Sequence, residues 1–270
     1  MASRLTSAFV QPTKPPLRVI AYNVYECTGW PKDNLLAQNA TKMGQMPARF
    51  ALELGLYEPD IVNLSESPKE SVVKEIAERL GMNYVYFPSG QKWPGTIMSR
   101  FKIVGSQNCP VVGGQRSQEL FTRHWGMAEI QLPEGTSLVV HSAHLHPSNS
   151  QIRQQEIAEM LRSMEKDFRD NRSMLLIGDL NHTPQEEEYA LWKQGGWIDT
   201  FAQVGQGDGL TFKADVLERR IDYVWAAGPI AQQVVESKTL LQGAFRTNPA
   251  DPHSFSLSDH LPHMAVFAWD

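Results

Sequence analysis

Short apolar runs alternate with polar turns along most of the chain, and these runs have the length of buried β-strands. Five of them are rich in β-branched residues and Leu and are bounded by turn-forming residues, which predicts strands. They cover residues 17–23, 60–66, 137–144, 174–179 and 220–225.

Apolar residues at three- and four-residue spacing predict three helices, at residues 45–57, 69–80 and 152–168. The second helix is followed by Gly81, a residue typical of the position after a helix. Most of the helices lie between strands. The pattern therefore predicts an α/β fold, with an α/β sandwich as the default architecture.

The composition adds few constraints. The chain has 270 residues, 41% of them hydrophobic, without an internal repeat or a Gly/Ser linker, so residues 17–270 are predicted to form one domain after a flexible lead-in, 1–16. No apolar run is long enough to cross a bilayer. We expect a soluble protein, monomeric by default, either cytoplasmic or secreted with its signal peptide removed.

Charge and cysteine content exclude some classes of function. The 25 Lys and Arg residues against 30 Asp and Glu residues give a net charge of -5, which argues against a protein that coats nucleic acid but allows a local basic cleft. Cys27 and Cys109 are too few for a disulfide framework or a thiolate zinc site. Two buried thiols are favoured over one disulfide bridge.

Polar side chains close several of the predicted strands. One Asp at such a position is most often a turn former or a helix cap. Several at one rim of layered sheets would repel each other unless a divalent cation neutralised them. Carboxylate and amide ligands without thiolate favour Mg²⁺ or Mn²⁺, with Ca²⁺ or Co²⁺ as alternatives, over structural zinc. The residues are Asn23, Glu66, His144, Asp179, Asn181, Asp222, Asp259 and His260.

Six short blocks, together with Asn23, occur in the order and approximate spacing of a known family. With these blocks the chain resembles the endonuclease/exonuclease/phosphatase superfamily. Residues 178–201 resemble the small bacterial members of that superfamily. The resemblance spans residues 17–268 and implies a four-layer α/β sandwich with two packed mixed β-sheets flanked by helices. The blocks are Ser65-Glu66, Gly95–Phe101, His144-Leu145, Gly178–Asn181, Arg220–Val224 and Ser258–His260.

The resemblance also implies roles on the metal side of a site. Glu66 resembles the principal metal-binding carboxylate of the family. Asn23 is placed beside it, holding metal or a phosphate oxygen, and Asp259 is similar to the metal-side acid of the last motif. The implied cofactor is a divalent metal.

The remaining motif residues resemble catalytic groups. Asp179 is similar to the carboxylate that activates water, and Asn181 to the amide that donates to phosphoryl oxygens. His260 resembles the histidine that contacts the scissile phosphate, and Asp222 the carboxylate that fixes its ring. His144 is a second phosphate-side histidine. These roles suit phosphoester hydrolysis, which depends on positioning and charge stabilisation.

Several of these residues have competing interpretations. Asp222 could instead pair with Arg219 or Arg220, and His141 and His146 are expected at surface or supporting positions. The acidic run 186–188 is favoured as the first turn of a helix, which Thr183-Pro184 would begin, over a second metal site.

Three further residues are weaker candidates for substrate binding. Arg153 follows the His144 motif and could reach the phosphate, although an Arg on an exposed helix face is commoner. Trp30 and Trp93 lie in loops and could stack on a substrate ring or pack as lid residues.

The preferred function is hydrolysis of a small phosphodiester. A nuclease is the first alternative, and a monoesterase, a triesterase or a non-catalytic binder of phosphorylated ligands also stays open. A small phosphoester is the expected partner and nucleic acid is not favoured, because Arg116, Arg123, Arg219 and Arg220 are scattered and no basic cluster is evident.

Overall fold

The computed structural model describes residues 15–109, 119–248 and 250–268. Except for Pro15 and Pro16, the predicted lead-in, 1–16, lies outside these residues, and so does Arg116.

The described residues form thirteen strands and six α-helices. The strands are β1 Leu17–Asn23, β2 Ile61–Ser65, β3 Asn83–Phe87, β4 Gly95–Ser99, β5 Lys102–Cys109, β6 His124–Gln131, β7 Ser137–His144, β8 Met174–Asp179, β9 Ile198–Asp199, β10 Gly205–Gln206, β11 Asp222–Ala227, β12 Val234–Thr239 and β13 His263–Phe267. The helices are α1 Leu35–Lys42, α2 Met46–Gly55, α3 Glu70–Leu80, α4 Ser150–Arg169, α5 Glu187–Gln194 and α6 Thr200–Val204.

The strongest sequence patterns are confirmed. The predicted strands correspond to β1, β2, β7, β8 and β11, and the predicted helices to α2, α3 and α4. Gly81 caps α3 with a φ of 67°, the left-handed conformation expected there. The pattern did not predict α1, whose exposed Leu35 and Leu36 obscure its amphipathic periodicity.

The strands form two mixed sheets. The first contains seven strands in the order β10-β12-β13-β1-β2-β4-β3, and the second contains six in the order β5-β6-β7-β8-β11-β9. In the centre of each sheet one pair is parallel, β1 with β2 and β7 with β8. Their outer neighbours β13, β4, β6 and β11 run antiparallel to them.

The two sheets pack face to face with helices outside them, which confirms the predicted four-layer sandwich. Side-chain alternation along β1 sends Val19 and Ala21 into the core between the sheets, and Ile20 and Tyr22 towards α2 and α3. On the far side, α4 and α5 cover the outer face of the six-stranded sheet, with Met160 and Trp192 buried against it.

The structure also settles three smaller sequence predictions. Cys27 and Cys109 are buried free thiols, as favoured. Helix α5 begins at Glu187, later than the predicted start at Thr183, and Glu187 and Glu188 occupy its first turn as expected. No helix in the described part of the chain is long and apolar enough to span a membrane.

One buried carboxylate joins α4 to two loops at the polar end of the sandwich. Glu156 accepts hydrogen bonds from the backbone N–H groups of Phe121, at 2.7 Å, and His146, at 2.9 Å. Burial raises the pKa of Glu156 to about 7, although these two N–H groups act in the opposite direction. The folded protein therefore holds a proton on Glu156 more tightly than the unfolded chain does.

This difference predicts a pH-dependent contribution to stability. The pKa of this carboxyl is near 4.5 in the unfolded chain and about 7 in the folded protein. Its favourable contribution to stability is therefore complete below pH 4.5 and is lost as the pH rises through about 7. Between these two pH values, the difference in unfolding free energy between the wild type and Glu156→Gln should decrease by about 3 kcal/mol. This figure follows from about 1.4 kcal/mol for each pKa unit. Urea denaturation at several pH values measures it.

The matched control is Glu165→Gln, an exposed position on the same helix. Its pH profile should run parallel to that of the wild type. A Glu156→Gln profile that is also parallel would contradict the assignment.

Candidate active site

The register of three adjacent strands gathers polar side chains at one end of the six-stranded sheet. Asp179 at the end of β8 is paired with His144 of β7 on one side and with Asp222 of β11 on the other. Residues that are paired across neighbouring strands project to the same face. Because Leu175 and Ile177 of β8 face the inter-sheet core, Asp179 two residues further on faces the same way.

The seven-stranded sheet contributes the opposite wall. Asn23 ends β1 and is paired with Ser65 at the end of β2, so Glu66 follows directly beside it. Glu66 has a φ of 50°, a left-handed conformation that costs free energy in a residue other than glycine. The Ser258 hydroxyl donates to the Asn23 carbonyl at 2.7 Å and thereby fixes the Asp259 segment to β1.

Asp179 lies at the centre of the resulting cluster. Its Oδ2 accepts a hydrogen bond from Asn23 Nδ2 at 3.0 Å. The same oxygen lies 3.5 Å from His144 Nε2 and 3.8 Å from His260 Nε2. The backbone N–H of Asn181 donates to the other oxygen at 3.0 Å. The two sheets thus place one carboxylate within reach of an amide and two imidazoles.

Burial, with a smaller effect of neighbouring carboxylates, raises the pKa values of three acids at this end of the molecule. Burial, and next the neighbouring Asp222, raise the pKa of Asp179 well above its ordinary value. Burial also raises the pKa of Glu66 and of Asp259, partly offset in both by His260. Four acids share a poorly solvated rim, so the site favours bound cations.

The donor set fits a hard divalent cation. Glu66 and Asp259 supply carboxylates and Asn23 supplies an amide, which is the ligand chemistry of Mg²⁺ or Mn²⁺. In addition, ligand atoms of Asp179, Asp222 and His260 lie within 4.8 Å of one another. In that group His260 Nδ1 and Asp222 are already bonded to each other. Glu66 and Asp259 are therefore more available to bind a metal.

His260 is bonded to Asp222 as the family resemblance implies. Its Nδ1 lies 2.8 Å from Asp222 Oδ2. Burial alone would lower the pKa of His260, but Asp222, followed by Asp179 and Asp259, outweighs it and raises the pKa to about 10. The alternative ion pair of Asp222 with Arg220 is wrong, because Arg220 binds Asp199 at 2.7 and 3.1 Å.

His144 differs from His260 in charge. Burial, followed by Arg123, lowers its pKa well below the ordinary value, so the imidazole is neutral at physiological pH. Its 3.5 Å contact with Asp179 is therefore not an ion pair. The site presents one neutral and one protonated imidazole towards the same carboxylate, which separates their chemical roles.

Gly178 and Asn181 shape the backbone around Asp179. A Cβ on Gly178, whose φ is 147°, would stand 1.9 Å from the carbonyl oxygen of Ala143, so β7 and β8 approach closely only because this residue lacks a side chain. Asn181, with a φ of 55°, donates from Nδ2 to the Leu145 carbonyl at 3.0 Å. Its amide is thereby held at the mouth of the site.

Two neighbouring histidines lie away from Asp179. His141 faces the opposite side of β7, where its Nδ1 accepts a hydrogen bond from Trp125 Nε1 at 3.3 Å. Of the two expected positions, surface or supporting, burial excludes the surface one, and it lowers the pKa of His141 to about 3. His146 is in a supporting position, since its Nδ1 accepts hydrogen bonds from the backbone N–H groups of Ser148 and Asn149, just before α4.

Arg153 is not placed for substrate binding. Its side chain is buried, with Nε 2.7 Å from Glu188 and Nη2 2.9 Å from Glu186. A third bond reaches the His146 carbonyl at 3.3 Å. The expectation that Arg153 reaches the phosphate is therefore corrected, because Glu186 and Glu188 neutralise its charge. These ion pairs connect α4 to the start of α5.

Trp93 and Trp30 differ in their relation to the site. Trp93 adopts a φ of 64°, and its ring lies 4.4 Å from the Arg123 guanidinium and 5.0 Å from Lys92 Nζ. The ring thus holds cations. Trp30 packs edge-on against Tyr25 and pairs through its backbone with Ser256.

Arg123 is the residue that sequence reasoning missed. Burial lowers its pKa, while Glu66, Asp179 and Glu156 act to raise it, so these acids lie within electrostatic reach of the guanidinium. Its buried Nε has no hydrogen-bond partner among the described residues. Arg123 directly precedes His124, which begins β6 and is paired with His144 of β7. Only this strand pairing could have indicated that Arg123 lies near the site.

The comparisons with known proteins identify the family. The model of the endonuclease/exonuclease/phosphatase family matches residues 20–260, and the chain belongs to this family. Its members are metal-dependent hydrolases of phosphoester bonds. A search among curated proteins finds no match.

Solved structures show the same fold at low identity. A family protein from Bacteroides thetaiotaomicron is 18% identical with a TM-score of 0.76, covering 95% of this chain and 96% of that one. A mannosyl-6-phosphatase of the same organism is 17% identical with a TM-score of 0.73, covering 92% and 98%. D. rerio TDP2 complexed with a single-strand DNA product is 19% identical with a TM-score of 0.67, covering 94% and 99%.

The bond between Asp222 and His260 generates a measurable expectation. In metal-free Asp222→Asn protein the His260 imidazole loses its nearest negative charge while its burial remains, so its pKa should fall from about 10 to near or below an ordinary value of about 6.5. Titration of the imidazole carbon-bound protons by NMR, assigned with His260→Gln, measures it.

The control is Asp170→Asn, an exposed change at the end of α4. It should leave the His260 titration unchanged. An imidazole that titrates at the same pH in Asp222→Asn and in the wild type would show that Asp222 does not set its charge.

Proposed function

We propose that this protein is a divalent-metal-dependent phosphodiesterase that hydrolyses a small-molecule diester. The observation that carries the proposal is the position of Asp179, whose Oδ2 is within 3.0 Å of Asn23 Nδ2, 3.5 Å of His144 Nε2 and 3.8 Å of His260 Nε2. The family membership supports phosphoester chemistry, while the diester and the size of the substrate are our inference.

Asp179 is the proposed general base. A raised pKa brings a carboxylate closer to the pH at which it works, so Asp179 can take a proton from the attacking water more effectively than an exposed aspartate can. Asn23 holds the accepting oxygen in place through its 3.0 Å bond. Water placed beside that oxygen attacks phosphorus in line with the leaving alkoxide.

His260 and Asn181 are the proposed donors to the phosphoryl oxygens. The imidazolium of His260, fixed by Asp222, keeps a proton on Nε2 that can donate to a non-bridging oxygen. Asn181 can add its remaining amide hydrogen. Neutral His144 donates without adding charge, and Arg123 supplies a cation that can contact the same phosphate.

Glu66 and Asp259 are the proposed metal ligands, with Asn23 beside them. A divalent cation bound there would polarise the phosphoryl oxygens and stabilise the leaving alkoxide. The protein's part is to hold these acids together at a partly desolvated rim, where a cation offsets their repulsion.

A small substrate is preferred over a polymer because of charge distribution. The chain has a net charge of -5, and the cations near the site include two local groups, Arg123 with Lys92 around Trp93 and Arg219 with Lys213 around Phe212, which packs against His260. A nucleic acid chain would need cations spaced along its phosphates. DNA binding by the TDP2 structure does not alter this inference, since the likeness to it is one of fold.

The metal test compares two isosteric variants with a matched control. Hydrolysis of bis(p-nitrophenyl) phosphate should be abolished by excess EDTA and restored by Mg²⁺ or Mn²⁺. Glu66→Gln and Asp179→Asn should each lower kcat/KM by about 10²–10⁴-fold, because they remove a metal ligand and the general base. Glu78→Gln on the exposed face of α3 should leave kcat/KM unchanged.

Two outcomes would overturn parts of this proposal. Full activity in EDTA, or in either active-site variant, would exclude the metal and Asp179 mechanism. Strong inhibition by plasmid DNA, with a steep dependence on salt, would favour a nuclease over a small-molecule diesterase.

A further inference from the structure

A cavity opens directly beside Glu66. It has a volume of about 520 Å³, within the range of small-molecule sites. Its walls come from the segment after β1, from α1, and from the loop that precedes β4. Because Glu66 is one of its lining residues, a molecule bound at the reacting centre can extend into it.

The cavity concentrates positive charge in an acidic protein. Lys32, Lys42 and Lys92, which are far apart in sequence, all line it. Some lysines elsewhere are ion-paired, as Lys74 is with Glu78, but these three form no ion pair within the described residues. All three residues are exposed and line one cavity, so an anion bound there would be stabilised by their ammonium groups.

Strained backbone is concentrated around the same cavity. Four lining residues other than glycine adopt left-handed φ values, which L-residues rarely occupy. Such conformations persist where the surrounding structure enforces them and cluster at ligand sites. The residues are Tyr25 at 47°, Glu26 at 53°, Glu66 at 50° and Trp93 at 64°.

Trp93 connects the cavity to the reacting centre. Its ring lies 5.0 Å from Lys92 Nζ, which belongs to the cavity, and 4.4 Å from the Arg123 guanidinium, which interacts with Glu66 and Asp179. A cation over an indole ring is held by the charge distribution of the ring. The indole therefore holds Lys92, which lines the cavity, close to Arg123, which can contact the scissile phosphate.

We infer that this cavity binds a second phosphate group of the substrate, held by Lys32, Lys42 and Lys92 while the scissile diester lies at Asp179. This inference rests on the proposed function and narrows its substrate class to small phosphodiesters that carry an additional phosphate monoester. Glu26, the other acid of the lining, is exposed and leaves an excess of positive charge once Glu66 binds metal.

The test uses two matched pairs of chromogenic diesters. The first pair is thymidine 5′-(p-nitrophenyl phosphate) with and without a 3′-phosphate. The second is thymidine 3′-(p-nitrophenyl phosphate) with and without a 5′-phosphate. Within each pair the scissile bond and the leaving p-nitrophenolate are the same, so the ratio of kcat/KM values reports only the second phosphate.

In the wild type the ratio should be about tenfold or more in at least one pair, the effect expected of a well-placed charged hydrogen bond. In the triple variant Lys32→Ala, Lys42→Ala, Lys92→Ala it should fall to near one. A control triple variant with the same change in charge, at the exposed Lys74, Lys102 and Lys166, should keep the wild-type ratio. Ratios near one in the wild-type protein, or a raised ratio that the cavity variant keeps, would overturn the inference.

Failure of the proposed function is distinguishable. In that case the wild type releases p-nitrophenolate from none of the four esters, and calorimetric titration with thymidine 3′,5′-bisphosphate and thymidine 5′-monophosphate tests the cavity alone. Tighter binding of the bisphosphate that the cavity variant loses would support the second phosphate site. Equal binding of both nucleotides would refute it.

Discussion

Repulsion among buried acids is the constraint on which the site depends. Glu66, Asp179, Asp222 and Asp259 share one rim of the sandwich, and burial raises the pKa of Asp179, Glu66 and Asp259. Such an arrangement is stable only with compensating positive charge. The chain supplies part of it through His260, whose pKa rises to about 10, and a bound divalent cation would supply the rest.

The fold imposes this arrangement through register and alternation. Strand pairing aligns His144, Asp179 and Asp222, and the side-chain period of two turns them all to the inter-sheet face. A shift of one residue in β8 would bury Leu180 there and move the carboxylate to the helix side. The packing of β8 therefore protects the geometry of the site, because slippage would also place a side chain where Gly178 now lies, 1.9 Å from the carbonyl oxygen of Ala143.

The sequence predicts the regular parts of this structure and much of the site. Apolar runs specify β1, β7 and β8, and the order of polar residues at strand ends indicates which side chains meet. Arg153 and Arg123 show where such reasoning fails. Arg153 lies next to a motif but is neutralised by Glu186 and Glu188 at the start of α5. Arg123 lies in no motif and is brought to Glu66 by the pairing of β6 with β7. Partners distant in sequence decide both cases, and no local pattern encodes them.

Net charge proves a poor guide to what this molecule binds. The overall value of -5 counts every charge of the chain, including the buried acids, whereas the space beside Glu66 is lined by three lysines, and Trp93 holds Lys92 near Arg123. Charges this close act over distances shorter than the screening length of physiological salt, about 8 Å, whereas more remote acids are largely screened. Under the proposed function, an anionic group of the substrate would therefore meet a local excess of positive charge that the net charge of the chain does not reveal.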